Sequence, residues 1–201
     1  PEERGGAGYT VVAEMLLARE LGRYAASPSI AATMIAAHLA AHAGSEFLED
    51  ILAGELRVAF ASRLHAGSEE FHLIDARGAR HFLVVDGTEA QLYDHAAFGE
   101  LRSVNSLDDA IVLERGRLAP STRPLLRDSG RDGAHRSSLL CSAQLLGVAE
   151  AALKLAVDYA KVREQFGQAI GSVQTIKHRC ADMAVLAEAA RVLGSHSRLL
   201  T

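Results

Sequence analysis

Cysteine is scarce in this chain: only Cys141 and Cys180 occur among 201 residues. Neither lies in a CxxC pair or beside a set of metal ligands, so no disulfide framework and no metal site is implied. A reducing, cytoplasmic compartment is expected. Charge of one sign is also lacking. The formal net charge is −4, with no block of like charges. That argues against sequence-independent nucleic-acid binding, which needs a basic face. No basic-then-apolar leader is seen. The most membrane-like run, Ile30 to Leu39, is too short to span a bilayer and carries His38, so no span is expected. Strand–helix alternation is missing, which argues against a Rossmann fold. Gly5-Gly6-Ala7-Gly8 follows no strand and is not a dinucleotide fingerprint. There is no internal repeat. The opening at Pro1, in mid-pattern, suggests a fragment or a processed chain.

What is present is a hydrophobic content of 49%, enough for a sizeable core. Three textures follow one another. Residues 9–56 read as helical: a helix ending near Leu21-Gly22, a second from Ser29 to Gly44, and a short third ending at Gly54. Residues 57–120 carry short apolar runs: Val58–Phe60, Phe71–Ile74, His81–Val85, Gln91–Tyr93 and Ala110–Leu113. Asp86-Gly87 is a turn signal between two of them. This reads as a small antiparallel sheet. From about 134 the chain is helical again, with Leu139, Ala143, Leu146, Ala149, Leu153, Ala156 and Ala160 on one stripe. Phe166-Gly167 to Gly171-Ser172 interrupts the pattern. A second long helix then starts, with Ser172 as its expected N-cap.

The segment Tyr159 to Met183 holds Tyr159, Arg163, Phe166-Gly167, Ile170-Gly171, Gln174 and Ala181-Asp182-Met183. It resembles the acyl-CoA dehydrogenase family, whose pattern these residues fill in one register. The opening Pro1-Glu-Glu-Arg-Gly5-Gly6-Ala-Gly8, and Glu20-Leu21-Gly22 after it, are also similar to that family. So is Leu52-Ala53-Gly54-Glu55 ahead of the first strand. The resemblance implies an α+β chain with an N-terminal helical domain (1–56), a small antiparallel β domain (57–120) and a truncated C-terminal helical bundle domain (121–201).

It also implies FAD, bound at a subunit interface of a homo- or hetero-oligomer, typically a tetramer. FAD carries a pyrophosphate, which favours fixed cations and hydrogen-bond donors. Arg163 supplies a planar charged fork at a helix end. Gln165 can bond phosphate or ribose, and Phe166 offers an apolar face. Gln174 lies in the first turn of a helix, where exposed N–H groups favour anions. Carried over from the family, Ile170 and Val173 line the adenosine side. The substrate implied is an acyl-CoA, dehydrogenated at its α,β bond, with electrons passed on to an electron-transfer acceptor.

Three places depart from the family. Its catalytic carboxylate lies either beyond the second long helix, past Thr201, or at a position that is Ser137 here, and serine is no carboxylate base. The family's Asp-x-x-Arg at this helix start is replaced by Gly133-Ala-His135-Arg136-Ser137-Ser138. Its flavin-ring loop, Thr-Glu-Pro-x-x-Gly-Ser-Asp, is replaced by Ala61 to Glu69, where only Gly67-Ser68-Glu69 echoes it. No catalytic residue is therefore assigned. His38 and His42, spaced for one helix face, lack a third ligand and read as a surface pair. Two functions remain open. The chain belongs to an FAD-dependent acyl-CoA dehydrogenase, or it is a non-catalytic partner subunit that completes the FAD site of a heteromer. Eroded subunits of that kind occur in actinobacterial steroid-side-chain dehydrogenases.

Overall fold

The computed structural model describes residues 5–128, 130 and 132–197, with backbone alone for 195–197. The first four residues of the opening motif and the last four of the 121–201 region lie outside them. The chain divides into two compact units. One holds the described residues of Pro1–Tyr9 and Ser27–Ser138; the other holds those of Thr10–Ala26 and Leu139–Thr201.

In the first unit, helix α2 (Ser29–Ala43) and short helix α3 (Phe47–Ala53) precede a seven-stranded sheet. Gly44 ends α2 in the left-handed region (φ 63), where its N–H and that of Ser45 close onto the last carbonyls. The strands are β1 (Val58–Arg63), β2 (Glu70–Ile74), β3 (His81–Asp86), β4 (Glu89–Asp94), β5 (Arg102–Val104), β6 (Leu113–Arg117) and β7 (Leu126–Asp128). Their order is β5-β6-β2-β1-β3-β4-β7.

The sheet is mixed, not antiparallel as expected, because β1 runs parallel to β3 with Val58 opposite His81. The connection through β2 and its turn carries the chain back before β3 begins, so β1 and β3 point the same way. The β3–β4 hairpin forms at Asp86-Gly87 as expected. The expected strand Ala110–Leu113 starts instead at Leu113, because Asp108 folds the preceding residues into a turn with its carboxylate on the Ala110 N–H. Strand β7 lies past residue 120 and pairs with β4.

One sheet face carries Ala59, Ala61, Phe71, Leu73, Phe82, Val84 and Tyr93 under Phe98 and Leu118. On the other, α2 packs on β1 and β3. The Thr33 hydroxyl accepts from the Val58 N–H at 3.2 Å there. The first four residues of β3 are buried, which is why this central strand reads as a continuous apolar run. Asp75 is buried with Ser27, Ser29 and Arg57. Burial pushes its carboxyl up, but the hydroxyls and the guanidinium outweigh that and hold it below the usual carboxylate range.

In the second unit, helix α1 (Val11–Arg23) crosses helix α4, which runs from Asp132 to Val162 and begins in the first unit. Helix α1 ends at Arg23, beside Leu21-Gly22 as expected. Gly22 has a second role in the last turn, where an added Cβ would sit 2.0 Å from the Gln144 carbonyl oxygen of α4. That role is close helix approach. Arg19 grips Glu150 at 2.6 and 2.9 Å, and Arg23 bonds the same carboxylate at 3.0 and 3.1 Å. Burial raises the Glu150 pKa, but these hydrogen bonds outweigh it and the net shift is downward.

A depressed folded-state pKa makes this clamp stabilising above the ordinary glutamate pKa. The contribution is lost as pH falls through the folded value. Glu150→Gln should therefore be less stable than wild type at pH 7, with the gap narrowing as pH falls below the ordinary glutamate value of 4.5. Urea unfolding at several pH values checks this; a gap that stays constant with pH would contradict it.

Helix α4 is long and apolar enough to cross a bilayer by length and composition, which core helices of soluble proteins also satisfy. The last helix, α5, spans Gln174–Ser197.

Candidate functional site

Helix α4 stops at Val162, and the chain folds into a two-stranded hairpin, β8 (Glu164–Gln165) with β9 (Gln168–Ala169). Its turn is Phe166-Gly167, with φ of 53° and 78°. Positive φ at both central residues marks a type I′ turn, whose twist matches the flanking strands. Glycine adopts that conformation freely; phenylalanine does so at a cost of about 1–3 kcal/mol. The result is a Phe166 ring 100% exposed at the tip.

The root of this hairpin is fixed. The Arg163 carbonyl accepts from the Ile170 N–H at 2.8 Å, and the Arg163 N–H donates to Tyr159 at 2.9 Å. A 3-10 turn over Ile170–Ser172 brings Gly171 so near α4 that a Cβ would be 2.8 Å from the Ala160 carbonyl. Ser172 does not cap α5. Its hydroxyl donates to the Ala169 carbonyl at 2.7 Å, closing the 3-10 turn. The Val173 carbonyl instead accepts the first N–H groups of α5, from Ile176 and Lys177.

All six residues expected at the site thus share one hairpin and helix start. Arg163, Gln165, Phe166, Val173 and Gln174 are exposed, and Ile170 is half-buried. Among the described residues, the Arg163 guanidinium has no ion pair and no hydrogen bond. The Gln165 amide donates to its neighbour's carbonyl, Glu164, at 2.8 Å. The segment combines an open cationic fork, an open aromatic ring and an open helix N-terminus, a set that fits a phosphate-bearing cofactor with an aromatic part. Sequence reading passed over Lys177 and Arg179. Both are exposed in the first two turns of α5 and add positive charge there. The basic run Lys177-His178-Arg179 was the available signal.

The departures in the first unit are also fixed in place. Ser137 is buried on α4. Ahead of it, the Asp128 carboxylate accepts from the Gly130 N–H at 2.8 Å and the Gly133 N–H at 2.6 Å, holding the start of the helix. In the Ala61–Glu69 stretch, Arg63 bonds the Ser68 carbonyl, pairs with Asp86 at 2.7 Å, and lies 4.7 Å from the Phe71 ring centroid. Glu69 is held by Arg117, with Nε at 2.7 Å. No carboxylate in that stretch is left free to act as a base. Among the described residues, no three histidine, cysteine or acidic side chains converge on a metal position. Neither cysteine is in a disulfide among the described residues.

Residues 133–197 match the family model "Acyl-CoA dehydrogenase, C-terminal domain". Over 196 residues the chain is 33% identical to acyl-CoA dehydrogenase IpdE2 of Mycobacterium tuberculosis, covering 96% of this chain and 58% of that relative's length. The chain thus spans little more than half of that protein. Among solved structures, a variant of the Tcur3481-Tcur3483 steroid ACAD is 25% identical with a TM-score of 0.69, covering 99% of this chain and 63% of the other. The ChsE4-ChsE5 complex of Mycobacterium tuberculosis shares the fold at 22% identity and a TM-score of 0.61, covering 98% of this chain and 65% of the other. The motif in one register, the matching architecture and these likenesses agree: residues 133–197 carry an acyl-CoA dehydrogenase C-terminal domain, and the chain is similar to acyl-CoA dehydrogenases over nearly all its length.

Proposed function

We propose that the chain is part of an FAD-dependent acyl-CoA dehydrogenase and contributes the Arg163–Gln174 segment to an FAD site at a subunit interface. The observation that carries this reading is the type I′ turn. It holds Phe166 fully exposed beside the unpaired Arg163 and the start of α5. Arg163 holds a phosphate through its fork, with Gln165 and Gln174 as neutral partners. Phe166, Ile170 and Val173 cover the adenosine side. When bound, FAD would supply the hydride acceptor for the β-hydrogen of the acyl thioester, with the α-proton going to a base that these residues do not supply. Residues 1–56, 57–120 and 121–201 correspond in this reading to the family's three domains.

An oligomer accounts for the apolar side chains that the second unit leaves in solvent, including Leu145, Leu155, Val162, Leu186 and Leu193. Exposed apolar area of this extent marks a binding surface. The substrate proposed is an acyl-CoA, and the steroid-directed neighbour suggests a bulky steroid side-chain thioester. Electrons leave to an electron-transfer acceptor, in the cytoplasm.

A second reading makes the chain a non-catalytic partner subunit. It rests on Ser137 at the place of the base and on Glu69 tied to Arg117. The visible spectrum of the purified chain separates the two. A yellow homo-oligomer bleached by acyl-CoA supports the self-sufficient enzyme. A colourless chain that gains flavin only with a second polypeptide supports the partner subunit. In either case Arg163→Ala should weaken FAD retention by about tenfold to a hundredfold, from a charge-assisted bond of about 1.5–3 kcal/mol. Unchanged flavin occupancy in that variant would remove Arg163 from the site.

A further inference from the structure

The face of the sheet that carries Val58 and Phe60 continues toward the β5 edge as a polar row. Register places Ser62 opposite His72, His72 opposite Arg115, and Arg115 opposite Arg102, across β1, β2, β6 and β5. Directly paired residues share a face, so the four side chains stand in one line. Adjacent strands are about 4.8 Å apart, well within the reach of an arginine.

This row is electrostatically incomplete. Like charges opposite one another on a sheet are destabilising, yet Arg102 and Arg115 are so placed. Among the described residues, neither guanidinium has an ion pair or a hydrogen bond. Arg115 Nε and His72 Nε2 are sealed from solvent and have no hydrogen-bond partner. Arg117, further along β6, is already held by Glu69. A cavity of about 510 Å³ opens here, lined by Arg102 and Arg115 together with Glu70 and Glu100. Both carboxylates are exposed and pair with neither arginine.

We propose that Arg115 and Arg102, the arginines that line this cavity without a partner, form a binding site for a phosphate group. Two guanidinium forks match a dianion in charge, and tetrahedral oxygens accept from more donors than a carboxylate can. Glu70 and Glu100 repel the anion and weaken its binding. The same group occurs in free orthophosphate and in phosphate monoesters. The site shares no residue with the Arg163–Gln174 segment and stands independently of the flavin reading.

Calorimetric titration of the full chain with orthophosphate, and separately with adenosine 3′-monophosphate, tests this. Saturable binding of either is expected, weakened about tenfold or more in Arg115→Gln and in Arg102→Gln. Glu70→Gln should tighten it. Binding of orthophosphate alone identifies free phosphate as the source; tighter binding of the nucleotide identifies an ester. Arg102→Gln, on an exposed edge strand, serves if Arg115→Gln does not fold. No saturable binding of either ligand, or binding unchanged in the arginine variants, would overturn the proposal.

Discussion

Phe98→Ala is expected to lower the unfolding free energy of the chain by about 3–5 kcal/mol, the range for deleting a buried aromatic ring. Phe98 belongs to no strand, yet its side chain is fully buried. Its ring meets Phe71 at 5.7 Å and Phe82 at 5.5 Å, both edge-on, and Tyr93 at 6.1 Å. Each such pair adds about 0.5–1.5 kcal/mol beyond the area it buries. The ring thus ties strands β2, β3 and β4 to the chain returning through Leu118, which bridges Phe98 by backbone. Phe98→Leu keeps most of the apolar volume and should cost less than half as much. Urea denaturation followed by circular dichroism measures both. A Phe98→Ala loss below about 1 kcal/mol would mean that the site collapses around the gap and that Phe98 is not the keystone of this face.

That ring also shows what sequence reading can and cannot reach. The helices were legible because alanine-rich apolar stripes repeat at helical spacing and glycines 44 and 54 terminate them. Strands β2 to β4 were legible because their buried residues form apolar runs. Strand β6, Leu-Glu-Arg-Gly-Arg, has no such run, and its place is set by pairing with β2. Strands β5 and β7 are three residues each and mostly polar, so tertiary hydrogen bonding alone defines them. The parallel pairing of β1 with β3 depends on how the intervening chain returns, which no local pattern encodes.

The candidate site divides in the same way. Tyr159 to Met183 was readable because many positions match one register. The exposure of Phe166 was not, since Phe-Gly is an uncommon type I′ pair and its ring could equally have anchored a core. The anion row of the first unit left no motif at all. Ser62, His72, Arg102 and Arg115 are scattered from position 62 to position 115 and meet only through strand register.

Close helix approach was equally hidden, and it leads to the second large effect. Gly147→Ala should destabilise the second unit by about 3 kcal/mol, at the upper end of the usual overpacking range. The added Cβ would lie 1.9 Å from the Arg19 carbonyl oxygen and 3.0 Å from the Arg23 backbone N. Backbone atoms cannot swing aside as a side chain does, so α1 and α4 must separate. Separation would also stretch the grip of Arg19 and Arg23 on Glu150, three residues further along α4. Gly22→Ala drives the same two helices apart from the other side, against Gln144. Once one substitution has opened the crossing, the other meets less resistance, so the double variant should lose less than the sum of the two. Thermal and urea unfolding of the two single variants and the double variant measure this coupling. Wild-type stability in Gly147→Ala would show that the helices do not need this close contact, and strict additivity would show that the two glycines do not serve one crossing.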